Sequence, residues 1–226
     1  MTLRVLELFA GIGAASKALE NLGIDHEIVD AVEIDKYAVK SFNAVHGTNF
    51  EPQDITKWDK DIECDMIIHG SPCQSFSVAG LQHGGDKGSG TRSSLMWETV
   101  RIVEKLKPKY VIWENVKNLL SKKHRHNFDA YLETMENLGY TNYYKVLNAA
   151  DYGVPQHRER VFTVSIRERE RERVCMARAN AVGDQAQRHT RKRCGREILY
   201  LRCDARLFHG RKPERKQIPT PRAILV

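Results

Sequence analysis

Between residues 3 and 166, short apolar runs alternate with amphipathic stripes of helical period, which leaves few architectures open to the chain. Arg4-Val5-Leu6-Glu7-Leu8-Phe9, His26 to Glu33, Asp65-Met66-Ile67-Ile68-His69 and Tyr110-Val111-Ile112-Trp113-Glu114 are too short for helices and end at turn residues. They read as strands. Between them, Ala15, Ala18, Leu19 and Leu22 share one helical face ahead of Gly23, and Asp35 to His46 reads as a second helix. Met96, Val100, Val103 and Leu106 form a third stripe, closed by Pro108; Phe128, Tyr131, Leu132, Met135 and Leu138 form a fourth, stopped at Gly139. Tyr143 to Asn148 and Arg160 to Ile166 read as a final pair of strands. Strand and helix in alternation predict an α/β fold, a mostly parallel sheet with helices on both faces. Such a sheet says little about chemistry.

After residue 166 this pattern stops. The formal charge of +7 hides a division: residues 1–166 hold 19 Lys+Arg against 22 Asp+Glu, and residues 167–226 hold 17 against 7. The basic residue of choice also changes, from 13 Lys and 6 Arg to 3 Lys and 14 Arg. Arg167-Glu168-Arg169-Glu170-Arg171-Glu172-Arg173 is low in complexity, and only Tyr200 and Phe208 are aromatic beyond it. A domain over 1–166 with a basic, low-order tail over 167–226 is the expected organisation. The sequence has no apolar run of about 18 residues, so no membrane span is expected. Met1-Thr2-Leu3 leads straight into strand-like sequence, which leaves no room for a signal peptide. Five cysteines, an odd number with no Cys-x-x-Cys pair, argue against a disulfide framework and for a cytoplasmic location.

Four stretches carry chemistry. Phe9-Ala10-Gly11-Ile12-Gly13 follows a strand and precedes a helix, where missing side chains let a ligand approach the backbone. Many dinucleotide folds share such a turn. Glu33, ending the second strand, suits ribose hydroxyls, and Asp54 suits an adenine amino group; each reads equally well as an ordinary strand-end acid. In Ser71-Pro72-Cys73-Gln74 the cysteine sits in a loop whose Ser71, Pro72, Gln74, Ser75 and Ser77 are poor core material, so it is placed as a nucleophile. An ordinary thiol, with a pKa near about 8.5, is only a few per cent thiolate at neutral pH, so nearby donors or positive charge must favour the anion.

Glu114 ends another apolar strand. A thiol and an acid facing one pocket suit covalent attack on an electron-poor ring. Arg158 and Arg160, two residues apart, project to one face of an extended segment, and their planar forks suit paired oxygens. Gly80 to Ser94, rich in glycine, serine and charge, is placed like a lid that closes over substrate. Lys122-Lys123-His124-Arg125 reads either as a phosphate contact or as a solvated face.

In this order, the glycine turn, Ser71-Pro72-Cys73-Gln74, Glu114-Asn115-Val116 and Gln156-His157-Arg158-Glu159-Arg160 resemble the DNA (cytosine-5) methyltransferases, over roughly residues 3 to 166. The resemblance implies a Rossmann-like domain using S-adenosyl-L-methionine, with Phe9, Gly11, Gly13, Glu33, Asp54 and Pro72 lining the cofactor pocket. It implies that Cys73 attacks C6 of a cytosine turned out of duplex DNA and that Glu114 stabilises the activated ring at N3. Asn115 would hold the Cys73 loop, and Arg158 and Arg160 would anchor the base, its phosphate and the loop, with Arg160 nearest the cytosine. No metal is implied. An RNA cytosine methyltransferase, and a non-catalytic remnant or partner subunit, are the alternatives.

Members of that family continue with a target-recognition segment and two further blocks, and neither block is found between 167 and 226. Two explanations follow: a second chain supplies recognition, or the reading frame shifts at 167. The second is preferred, because an AG dinucleotide repeat read in triplets encodes Arg-Glu-Arg-Glu. Sequencing the coding DNA separates them.

Overall fold

The computed structural model describes residues 2–72 and 92–168. Cys73, most of the expected lid and residues 169–226, which carry the expected basic tail, lie outside them. The elements run β1 (Leu3–Leu8), α1 (Ala14–Asn21), β2 (His26–Val32), α2 (Lys36–His46), β3 (Met66–His69), α3 (Met96–Leu106), β4 (Tyr110–Val116), α4 (Arg125–Asn137), β5 (Tyr140–Asn148) and β6 (Glu159–Arg167). They build one six-stranded sheet in the order β2-β1-β3-β4-β6-β5. β1 pairs in parallel with β2 and β3, and β3 with β4, whereas β6 lies antiparallel between β4 and β5.

Alternation along the strands divides the side chains between two faces. Leu6, Leu8, Ile67, Val111 and Trp113 form one core with Met96, Val100 and Val103 of α3 and Phe128, Tyr131 and Met135 of α4. Val5 and Met66 point the other way and pack with Leu19 of α1. Helices therefore cover both faces, and the chain has the α/β architecture its alternating pattern predicts. The larger core is aromatic at its centre, where the Trp113 ring lies 4.3 Å from Tyr131 and 5.9 Å from Phe128.

Three strands run longer than expected, β6 by one residue at each end. β4 continues through Asn115 to Val116, and β5 starts at Tyr140 rather than Tyr143. The extra residues of β5 are fixed from outside the strand: the Tyr140 ring is 2% exposed and its hydroxyl donates to the Pro108 carbonyl at 2.7 Å.

At the amino end of the sheet, Asp65 ties three strands together. Its carboxylate accepts from the Arg4 backbone at 3.0 Å and the Arg4 Nε at 3.2 Å, and it lies 2.9 Å from the Lys109 ammonium. Its own carbonyl accepts from the Lys109 and Tyr110 amides. Burial alone would raise this carboxyl, but hydrogen bonds from Arg4 and Lys109 outweigh it and hold the pKa at about 2. A depressed carboxyl contributes stability above its unfolded pKa, lost as pH falls through the folded one. Asp65→Asn is therefore expected to cost about 2 kcal/mol at neutral pH, and wild type and variant should converge on acidification towards about pH 2. Urea unfolding across that range checks it; a constant gap between the two curves would contradict the assignment.

Candidate active site at the carboxyl ends of the strands

The parallel register sets Leu8 opposite Val32 and His69, and His69 opposite Trp113, so the carboxyl ends of β2, β1 and β3 lie level, and β4 passes that level at Trp113 and runs on to Val116. From β1 the chain crosses to β2 on one side, and β3 then enters on the other. Such a reversal opens a crevice above the strand ends where ligands of α/β sheets bind. Phe9 to Gly13, Glu33, Ser71, Pro72 and Glu114 all stand at this rim.

Above β1 and β2 the backbone turns sharply. Phe9 and Gly11 both have φ 55°, and Gly13 has φ 82°, the left-handed region that side chains disfavour. Glu33 closes the turn: its Oε2 accepts from the Gly11 amide and its Oε1 from the Asp35 amide, both at 3.0 Å. Each carboxylate oxygen keeps a further acceptor site for a ligand hydroxyl. Around this polar turn Ile12 is 59% exposed, and Ile34 and Tyr37 are 70% exposed. Large apolar groups left in water beside a set of hydrogen-bonding groups suit a flat, partly apolar ligand. Asp54 belongs to the adjoining segment, which is tied to Glu33 by a 2.7 Å bond from the Gln53 amide to the Glu33 carbonyl. Its carboxylate accepts from the Thr56 hydroxyl at 2.8 Å and the Thr56 amide at 3.0 Å, and these bonds lower its pKa.

The other half of the rim belongs to β3, β4 and β6. Glu114 shares the face of β4 that carries Ile112, and the register sets it beside Phe162 with Arg160 one step along. Its Oε1 lies 3.0 Å from the Arg160 Nε and 3.7 Å from Arg158. Desolvation raises the Glu114 pKa, and the two guanidinium groups offset only part of that rise. The start of β6 is itself held in place: Lys117 bonds Glu159 at 2.9 Å, and the Arg158 amide donates to Asn148 Oδ1 at 3.0 Å. Glu114 Oε2 lies 3.9 Å from where a Cβ on Gly70 would stand, so the carboxyl flanks the strand exit that leads through Ser71 and Pro72 to residue 73.

That exit is fixed from below. The Trp113 indole donates to Ser71 Oγ at 3.0 Å, and Asn115, 2% exposed, donates its amide to the Ser71 carbonyl at 3.4 Å. His69 stacks on Trp113 at 5.6 Å, with its ring nitrogens 3.3 Å from the Tyr131 hydroxyl and 3.4 Å from the Thr99 hydroxyl. Complete burial pushes the His69 pKa down to about 3. It stays neutral at working pH and serves as packing.

The structure thus gathers Phe9, Gly11, Gly13, Glu33 and Asp54 over β1 and β2, and Pro72, Glu114, Arg158 and Arg160 over β3, β4 and β6. Cys73 is outside the described residues, one covalent step beyond Pro72. Of the basic run, Arg125 is engaged within the fold: it pairs with Asp129 at 2.7 Å and lies over the Phe128 and Tyr144 rings. Sequence reading missed the contact between Ser71 and Trp113. Its one available signal was an indole among aliphatic residues next to Glu114, since a buried Trp N–H needs an acceptor.

Comparison with known proteins agrees with this arrangement. The sequence model of the family described as C-5 cytosine-specific DNA methylase matches residues 3–201. Among curated proteins, the type II methyltransferase M2.ScrFI of Lactococcus lactis subsp. cremoris is 37% identical over 219 residues, covering 73% of this chain and 61% of that protein. The type II methyltransferase M.HhaI of Haemophilus parahaemolyticus is 40% identical over 167 residues, covering 73% of this chain and 49% of that protein. Among solved structures, a mutant of Spodoptera frugiperda DNMT2 superposes with a TM-score of 0.60 at 25% identity, over 74% of this chain and 50% of that one. The chain spans about half the length of the relatives it matches. With the family match running over most of its length, the chain belongs to the C-5 cytosine-specific DNA methylases.

Proposed function

We propose that this chain transfers a methyl group from S-adenosyl-L-methionine to C5 of cytosine in DNA through a covalent adduct at Cys73. The observation that carries this reading is the Glu114 site, a carboxyl raised by desolvation, flanked by two arginines and set beside the backbone that leads to Cys73.

The first half of the rim fits the cofactor. Glu33 has acceptor sites left for ribose hydroxyls, the left-handed turn at Phe9–Gly13 exposes backbone, and Ile12 and Ile34 offer apolar surface to a purine. Pro72 and Asp54 would border the same pocket. When bound, S-adenosyl-L-methionine supplies an electrophilic methyl group.

The Cys73 thiolate forms a bond to C6 of the cytosine, and the displaced electron pair makes C5 nucleophilic while negative charge builds towards N3. Glu114 carries the proton that meets this charge, the role a raised carboxyl suits. C5 takes the methyl group; a base then removes the C5 proton and the S–C6 bond breaks, restoring Cys73. Arg158 and Arg160 hold Glu114 from one side and present positive charge to the base and to the thiolate. The target carbon is inaccessible inside a duplex, so the substrate is DNA with its cytosine turned out of the stack. The relatives carry about as much chain again beyond the matched part. In this reading, target selection belongs to that extra part, joined to the same chain or supplied as a second one.

Incubating the purified chain with methyl-tritiated cofactor and mixed-sequence duplex DNA is expected to yield labelled 5-methylcytosine. A parallel reaction with tRNA separates the substrates. Label found in tRNA alone would assign the site to RNA, and label in neither would overturn the reading.

A further inference from the structure

The glycine turn is gripped by a residue that no motif contains. His46, the last residue of α2, directs its Nε2 at the Gly13 carbonyl at 2.9 Å. A carbonyl only accepts, so the imidazole donates. The same carbonyl accepts the Lys17 amide at 3.0 Å, the first bond of α1, so both of its lone pairs are used. The His46 ring lies 4.6 Å from Phe42, which is 1% exposed. A Cβ placed on Gly13 would stand 2.8 Å from Phe42 Cε2 and would overlap the His46 ring still more closely. Gly13 is thus glycine for two reasons, its φ of 82° and the ring lying against it. On its other side the turn is held by Glu33 at the Gly11 amide. Gly13 is also the N-cap of α1, so its carbonyl joins the first bond of that helix to the grip of His46.

We propose that His46 is a positioning residue for cofactor binding. Its hydrogen bond to Gly13 fixes the turn in the conformation that leaves Glu33 and the exposed backbone facing the ligand. This rests on the reading that the turn binds S-adenosyl-L-methionine. His46 acts from behind the turn and touches no reacting atom. Its loss therefore weakens binding without altering the chemical step.

The test uses the full chain in six forms: wild type, His46→Leu, His46→Gln, His46→Ala, Gly13→Ala and Gly13→Ala combined with His46→Ala. Calorimetric titration with S-adenosyl-L-methionine is expected to show about 3- to 10-fold weaker binding for His46→Leu, the cost of one hydrogen bond, with kcat unchanged and KM for the cofactor raised. His46→Gln, whose amide can donate to the same carbonyl, should recover most of the loss. In the Gly13→Ala background, removing the His46 side chain should cost less than it does in wild type, because it also relieves the overlap.

Hydrogen exchange of the ligand-free protein gives an independent reading, with faster exchange expected across residues 11–17 in His46→Leu and near wild-type exchange in His46→Gln. Unchanged affinity and exchange in His46→Leu would overturn the proposal, as would a His46→Gln variant as weak as His46→Leu. If wild type binds no cofactor while exchange still responds as expected, the grip on the turn stands and the cofactor reading falls.

Discussion

Cys73→Ala is expected to stop methyl transfer, lowering turnover by on the order of 10⁴-fold or more, because the proposed reaction loses its nucleophile rather than one of several stabilising contacts. Cofactor affinity should stay within about twofold of wild type, since the proposed pocket is built chiefly on β1 and β2 and meets the Cys73 loop only at Pro72. No described cysteine can take over. Cys64 is buried, and desolvation pushes its thiol up to about 12, so it stays protonated at any working pH. Turnover within tenfold of wild type would remove Cys73 from the mechanism. Loss of turnover together with loss of cofactor binding would show a damaged fold instead.

Glu114→Ala is expected to lower kcat by about 10²- to 10³-fold, the usual cost of removing one donor aimed at developing charge, with cofactor affinity unchanged. The pH profile separates this role from a merely structural one. In the proposed mechanism the rate needs a protonated Glu114 and an ionised Cys73. It should therefore rise with pH as the thiol ionises and fall again as Glu114 loses its proton. Desolvation raises the Glu114 pKa, which moves that fall to higher pH than an ordinary carboxyl would give. Glu114→Gln keeps an N–H donor that does not titrate in this range, so it should retain part of the rate and lose the alkaline fall. A Glu114→Gln profile with the same alkaline limb as wild type would assign that limb to another group.

Local signals and long-range pairing were unequally legible in the sequence. β1, β3 and β4 could be read directly, because each contains a short apolar run beside turn residues, largely buried in β1 and β3 and buried on one face in β4. The start of β5 was not legible, because Tyr140-Thr141-Asn142 mixes polar with apolar residues and its anchor is a hydrogen bond to Pro108, 32 positions away. The insertion of β6 between β4 and β5 was invisible for the same reason, since strand order depends on partners and not on composition.

The site shows the same division. The spacing of Arg158 and Arg160 placed them on one face, but only the register of β6 on β4 brings that face to Glu114. The grips from beneath, Trp113 on Ser71 and His46 on Gly13, join residues 42 and 33 positions apart. A lone histidine closing an amphipathic helix reads as a helix end, and nothing near it in sequence points to the turn it holds.

The most direct measurement of the central claim is the mass of the covalent product formed when the chain meets duplex DNA containing 5-fluorocytosine in the presence of S-adenosyl-L-methionine. Fluorine at C5 cannot leave as a proton does, so the adduct should persist. Digestion should then locate the added nucleotide on the peptide that carries Cys73. An adduct mapped to any other residue, or none from a chain that demonstrably binds the cofactor, would contradict the account.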